Sequence, residues 1–93
     1  MLRIQRSSNG VVVFSLSGRI DRDDIPELRR LLDLEAVGQG IALDLQEVTL
    51  IDRDVVEFLA RCEAENIGLE NCPAYIREWI RRRDAASKNN KLQ

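Results

Sequence analysis

The sequence predicts one small α/β domain, a mixed sheet of about four to five strands flanked by about three or four helices in the order β-β-α-β-α-β-α. Three observations predict it. Residues 2–17 read as two strand-forming runs around Asn9-Gly10, apolar residues then recur at helical spacing in three places, and short aliphatic runs separate those places. Strands that alternate with helices after an opening hairpin imply a partly parallel sheet, with crossover helices packed on it. The 93 residues leave room for one core, because a chain of this size buries only roughly 60% of the surface its unfolded form exposes. Hydrophobic residues at 44% and charged residues at 32% are ordinary for a folded domain.

Leu2 to Gln5 is the first strand, and Asn9-Gly10 is a strong hairpin signal because both residues tolerate positive φ. Val11 to Ser17 alternates as the second strand, with Val12, Phe14 and Leu16 on one face, and stops at Gly18. Ile25, Leu28, Leu31 and Leu32 then mark the first helix. Asp23 and Asp24 are its candidate caps, and Pro26 sits in its first turn, where a missing N–H is harmless. Past Gly38-Gln39-Gly40, Ile41 to Leu45 is a covered strand, interrupted by Asp44 and resumed at Leu50 and Ile51 after a kink around residues 46–49. Asp54 and Glu57 have the spacing of a capping box ahead of Val55, Phe58, Leu59 and Cys62, the apolar stripe of the second helix. Residues 67–70 form a short strand, and Pro73 opens a third helix with Ile76, Trp79 and Ile80 on one side. The domain is expected to span residues 1–83, followed by a flexible basic tail over 84–93.

Composition removes several chemistries. There is no histidine, so the usual base near neutral pH and the commonest metal ligand are both missing. Cys62 and Cys72 have no ligand-pair spacing and are expected to be free packing thiols in a reducing cytosol. Gly38-Gln39-Gly40 precedes a strand rather than following one, unlike a phosphate-binding loop. Neither a catalytic constellation nor a cofactor is therefore expected. Residues 77–93 hold six basic side chains against two acidic ones, a net +4 that leaves −6 on the remainder. No aromatic residues interleave the last of these charges, so a solvated helix end is expected in preference to a nucleic-acid site. No apolar run is long enough to cross a bilayer and the first residues lack a secretory pattern, which points to the cytoplasm.

Three stretches resemble the STAS family, the domain of sulphate transporters and anti-sigma factor antagonists. They are residues 13–21 (Val-Phe-Ser-Leu-Ser-Gly-Arg-Ile-Asp), residues 41–52 (Ile-Ala-Leu-Asp-Leu-Gln-Glu-Val-Thr-Leu-Ile-Asp) and residues 68–73 (Gly-Leu-Glu-Asn-Cys-Pro), and the likeness runs from about Val11 to Trp79. The middle stretch is the most specific. In the antagonists the loop after it reads Asp, Ser, Ser or Thr, Gly, and the second hydroxyl residue takes phosphate from a kinase that is also the anti-sigma factor. Here the four positions are Asp52, Arg53, Asp54 and Val55, so the phosphoacceptor is replaced by Asp54.

Two roles are open to Asp54: a fixed charge approximating the phosphorylated state, or a cap of the second helix completed by Glu57. Arg53 is either an anchor for a partner carboxylate or a solvated side chain paired with Asp21 or Asp52. Val55 in place of Gly suggests an ordinary helical start. The resemblance implies a non-catalytic interaction module in bacterial regulation. Its partner surface would comprise Asp21, Arg22, Asp24, Asp52, Arg53, Asp54 and Val55 with Glu57 and Arg61 on the second helix. An anti-sigma factor or kinase is the implied partner, and a transport ATPase of the lipid-transport type is the alternative. Asp21, Asp23, Asp24, Asp52 and Asp54 would gather near two helix starts, but their spacing matches no calcium loop and no metal is expected. An open strand edge along Val11 to Ser17 or at Leu2 offers a route to a homodimer.

Overall fold

The computed structural model describes the backbone of residues 2–91 and the side chains of residues 2–83. The chain runs β1 (Leu2–Asn9), β2 (Val11–Ile20), a short 3₁₀ turn (Arg22–Asp24), α1 (Ile25–Asp33), β3 (Ile41–Ile51), α2 (Arg53–Ala64), β4 (Gly68–Glu70) and α3 (Ala74–Lys91). This is the expected α/β order. The four strands lie side by side in sequence order, β1 antiparallel to β2 and the β2–β3 and β3–β4 pairs parallel.

Local chemistry explains each boundary. Gly10, at φ +83°, turns the hairpin, and both of its strands are longer than their apolar runs suggest. β2 does not stop at Gly18. It passes through that residue at φ +91° and continues to Ile20, with a register shift against β3 between Gly18 and Arg19. A second irregularity lies between Ser15 and Ser17, opposite Asp44 and Glu47, so the kink expected in β3 is a bulge inside one continuous strand. Asp44 serves that bulge: its Oδ1 accepts from the Gln46 amide at 3.0 Å and from Asn71 Nδ2 at 3.3 Å.

One face of the sheet carries the core. Val12, Phe14 and Leu16 of β2 and Leu43 and Leu45 of β3 are buried with Leu28 and Leu32 of α1, Val55, Phe58, Leu59 and Cys62 of α2, and Ile76 and Ile80 of α3. On the opposite face Gln5, Ser15, Asp44 and Glu70 stand in register across all four strands, a polar row that agrees with period-two alternation. Arg29 ties α1 to α2, bonding Glu65 at 3.1 Å while its guanidinium lies 5.5 Å from the centre of the Phe58 ring.

Three expectations are corrected. The strand Val11–Ser17 has no free edge, because β2 is hydrogen-bonded on both sides; among the described residues the sheet ends at β1 and β4. Trp79 does not join Ile76 and Ile80 in the core and is 43% exposed. The carboxylates of Asp23 and Asp24 make no cap bond to α1; Asp24 Oδ2 turns back to the Asp21 amide at 2.9 Å. The basic stretch 84–93 continues α3 as helical backbone to Lys91, and its side chains lie outside the described residues. Among the described residues no helix is long and apolar enough to cross a membrane.

Candidate functional site

The carboxyl ends of two parallel strands bring the expected residues together. Ile20 and Ile51 are register partners and both are buried, so the chain leaves the sheet at one level into the 3₁₀ turn on one side and into α2 on the other. Such strand ends are where open α/β sheets build their sites, since the loops there are free of packing duties.

Asp52 organises the junction. Its Oδ1 accepts from the Val55 amide at 3.0 Å, which makes it the N-cap of α2, and its Oδ2 accepts from the Arg22 amide at 2.9 Å. One carboxylate thus satisfies an orphan donor of the helix and clamps the neighbouring loop. The capping box expected from Asp54 and Glu57 is therefore corrected: the cap lies two residues earlier, Asp54 stands in the first turn of α2, and Glu57 reaches toward Arg83 at 3.9 Å. Asp21 is engaged as well, bonding Arg19 Nε at 2.9 Å.

These internal duties sort the expected surface. Asp52 holds the two loops to each other, Asp21 and Asp24 are bonded within the first of them, and Val55 is fully buried in the core, so it offers nothing to a partner. Arg22, Asp23, Arg53 and Asp54 are exposed. Arg53, Glu57 and Arg61 recur every four residues and line one exposed stripe of α2. Arg53 bonds neither Asp21 nor Asp52, whose oxygens serve other groups. Leu50, 52% exposed as the penultimate residue of β3, adds an apolar element. Sequence reasoning placed it in a covered strand; its position at a strand end beyond the bulge sends it to the surface.

The described residues include no cluster of three or more carboxylate or thiol groups arranged to hold a metal ion. Both cysteines are free. Burial pushes the Cys62 thiol up to about 11, and it raises Cys72 as well, which favours the protonated thiol at both near neutrality.

α3 contributes a feature that the sequence did not reveal. Beside the start of α2, Arg53, Val56 and Glu57 face Trp79, Arg82 and Arg83 across an open cleft of about 400 Å³. The two helices are also pinned lower down, where Arg77 Nη1 bonds both oxygens of Glu63 at 3.0 and 2.9 Å. The signal was present in the tryptophan, whose place at the edge of the Ile76–Ile80 stripe suited either core or rim.

Compared with known proteins, the chain matches no protein-family model and no curated sequence.

Proposed function

We propose that this chain is a non-catalytic interaction module of bacterial regulation, working in the cytoplasm, which docks a protein partner on the loops at the carboxyl ends of β2 and β3. It would act like an anti-sigma factor antagonist of the STAS type without a phosphoswitch. The observation that carries the reading is the outward presentation of Arg53 and Asp54 on a loop whose adjoining carboxylate, Asp52, is consumed in holding it. Because Asp52 holds the backbone at this junction, presenting the two charges needs little backbone ordering on binding, and they select partners by charge complementarity. Asp54 supplies a permanent negative charge where the regulated relatives add and remove one, so the module would be held in one state.

The reading is tested by incubation with an anti-sigma kinase and ATP, together with capture of partners from the native cell by the wild-type chain and the Arg53→Ala/Asp54→Ala double variant. The expected result is an unlabelled chain and a sigma-regulating protein that is recovered by wild type and lost with the double variant. Stoichiometric phosphate on the wild-type chain overturns it. So does recovery of a transport ATPase subunit in place of a sigma regulator, or capture that ignores both substitutions.

A further inference from the structure

We infer that the cleft between α2 and α3 seats an acidic segment of the partner protein, with one apolar side chain against Trp79 and carboxylates against Arg53 and Arg82. The inference rests on the docking reading above and extends its surface from α2 onto α3.

Three properties of the cleft define the occupant. Its apolar part is an aromatic ring: Trp79 is the only tryptophan and is 43% exposed, next to Val56, which is buried at 4% exposure. Half-exposed tryptophan beside arginine is the composition of binding hot spots, because the large rigid ring gains much area for little lost freedom. Its charge is positive, with three arginines lining it against the single carboxylate of Glu57, on a chain whose net charge is −2. Two of these arginines, Arg53 and Arg82, are also available at small cost. Arg53 stands exposed at the helix start, and Arg82 is 75% exposed and bonds Glu78 at 3.3 Å, a surface pair that a better-placed carboxylate can exchange.

The third property is shape. The cleft is open, of a size for one or two side chains rather than an enclosed ligand. A nucleotide fits it less well. The Val55 amide at the helix start is already taken by Asp52, and the Asp54 carboxylate on the same turn repels a phosphate. An acidic peptide needs only the guanidinium forks and the ring.

Panning a random peptide library against the full chain tests the inference, with Trp79 emission reporting binding to the wild-type and Arg82→Glu chains and the anisotropy of a dye-labelled selected peptide reporting it for every variant, those without the tryptophan included. Enriched peptides should combine acidic residues with one bulky apolar residue, shift Trp79 emission saturably, and weaken about tenfold or more with Arg82→Glu and with Trp79→Ala. Their affinity should fall as salt rises. Thermal midpoints and circular dichroism establish that the variants fold, and Trp79→Phe, retaining an aromatic face, should keep most of the binding. Peptides with no acidic bias, or acidic peptides indifferent to Arg82→Glu and Trp79→Ala, overturn the inference. So does saturable binding of ADP that Arg82→Glu abolishes while no peptide is enriched. Asp54→Ala separates the two readings: partner capture lost with Asp54→Ala but unaffected by Arg82→Glu sinks the cleft alone, whereas capture indifferent to Asp54 and Arg53 sinks the docking loop.

Discussion

Two aspartates two residues apart at the start of α2 do different work, and the difference is a matter of what each carboxylate meets. Asp52 has one oxygen on the Val55 amide and the other on the Arg22 amide, while Asp54 is exposed in the first turn of α2. Loss of a cap costs about 1–2 kcal/mol, whereas an exposed charge near a helix start contributes about 0.3–1 kcal/mol. Chemical denaturation should therefore show Asp52→Ala to be the more destabilising, by about 1 kcal/mol or more relative to Asp54→Ala. Equal losses would return the capping role to Asp54. At Cys62 the same logic of environment applies to a thiol. It is fully buried and its pKa is raised to about 11. Ellman's reagent at pH 8 should leave Cys62 unmodified in the folded chain and titrate it only in denaturant, with the partly buried Cys72 reacting first. The raised value also means that stability from Cys62 is complete below the unfolded thiol pKa, and declines as pH rises toward 11.

At the scale of elements, β2 and β3 decide where the loops emerge. Both strands carry irregularities at matched places, and Gly18 at φ +91° absorbs one of them so that Arg19 and Ile20 can resume pairing with Leu50 and Ile51. A side chain in left-handed backbone costs roughly 1–2 kcal/mol per residue. Gly18→Ala should lower stability by about that amount and disturb the clamp of Asp52 on Arg22, four residues downstream, which loss of amide-exchange protection at Arg22 would report. An unchanged denaturation midpoint would mean that the bulge is not under conformational constraint. The element order was legible because period-two and 3.6-residue patterns survive in β1, β2, α1 and α2, and Pro26 and Pro73 mark helix starts. The strand ends were less legible. Bulges break the alternation that would reveal them, so β2 read as ending at Gly18 and β3 as two pieces.

The whole molecule has its helices and its apolar core on one sheet face, and long-range ion pairs close its edges. Arg6 of β1 grips Glu35, just beyond α1, through two bonds of 2.9 and 3.0 Å, so the edge strand is tied to the opposite end of a crossover. The hydrogen bond from Arg6 holds the Glu35 carboxyl below its ordinary range. A depressed carboxyl pKa stabilises the folded state above the unfolded value, about 4.3 for glutamate, and that contribution is lost as pH falls through the folded value. Glu35→Gln should accordingly be less stable than wild type at neutral pH and converge with it below about pH 4. Denaturation curves across pH 3–7 check this, and a gap that persists in acid would assign the effect to packing.

How much of the proposed docking surface the sequence disclosed follows from the same physics. The charged loop residues Arg22, Arg53 and Asp54 were legible because charges at a strand-to-helix junction have nowhere to be buried. Leu50 and Trp79 were not, since Leu50 continues an apolar strand run and Trp79 lies at the edge of the Ile76–Ile80 stripe, and neither place marks which way the side chain faces. Val55 was misassigned to the surface because its place in the loop pattern said nothing of the helix it begins.

The amino-acid sequence by itself determined the α/β class, the order of elements, most of the core, and the absence of histidine chemistry, because periodicity and composition are local properties that each segment carries alone. Only the tertiary structure decided which aspartate caps α2, that β2 lies inside the sheet, and that Arg53 meets Trp79 and Arg82 across a cleft. Those facts depend on how α3 and the two loops are set against each other, and that packing is a property of the assembled layers rather than of any one segment.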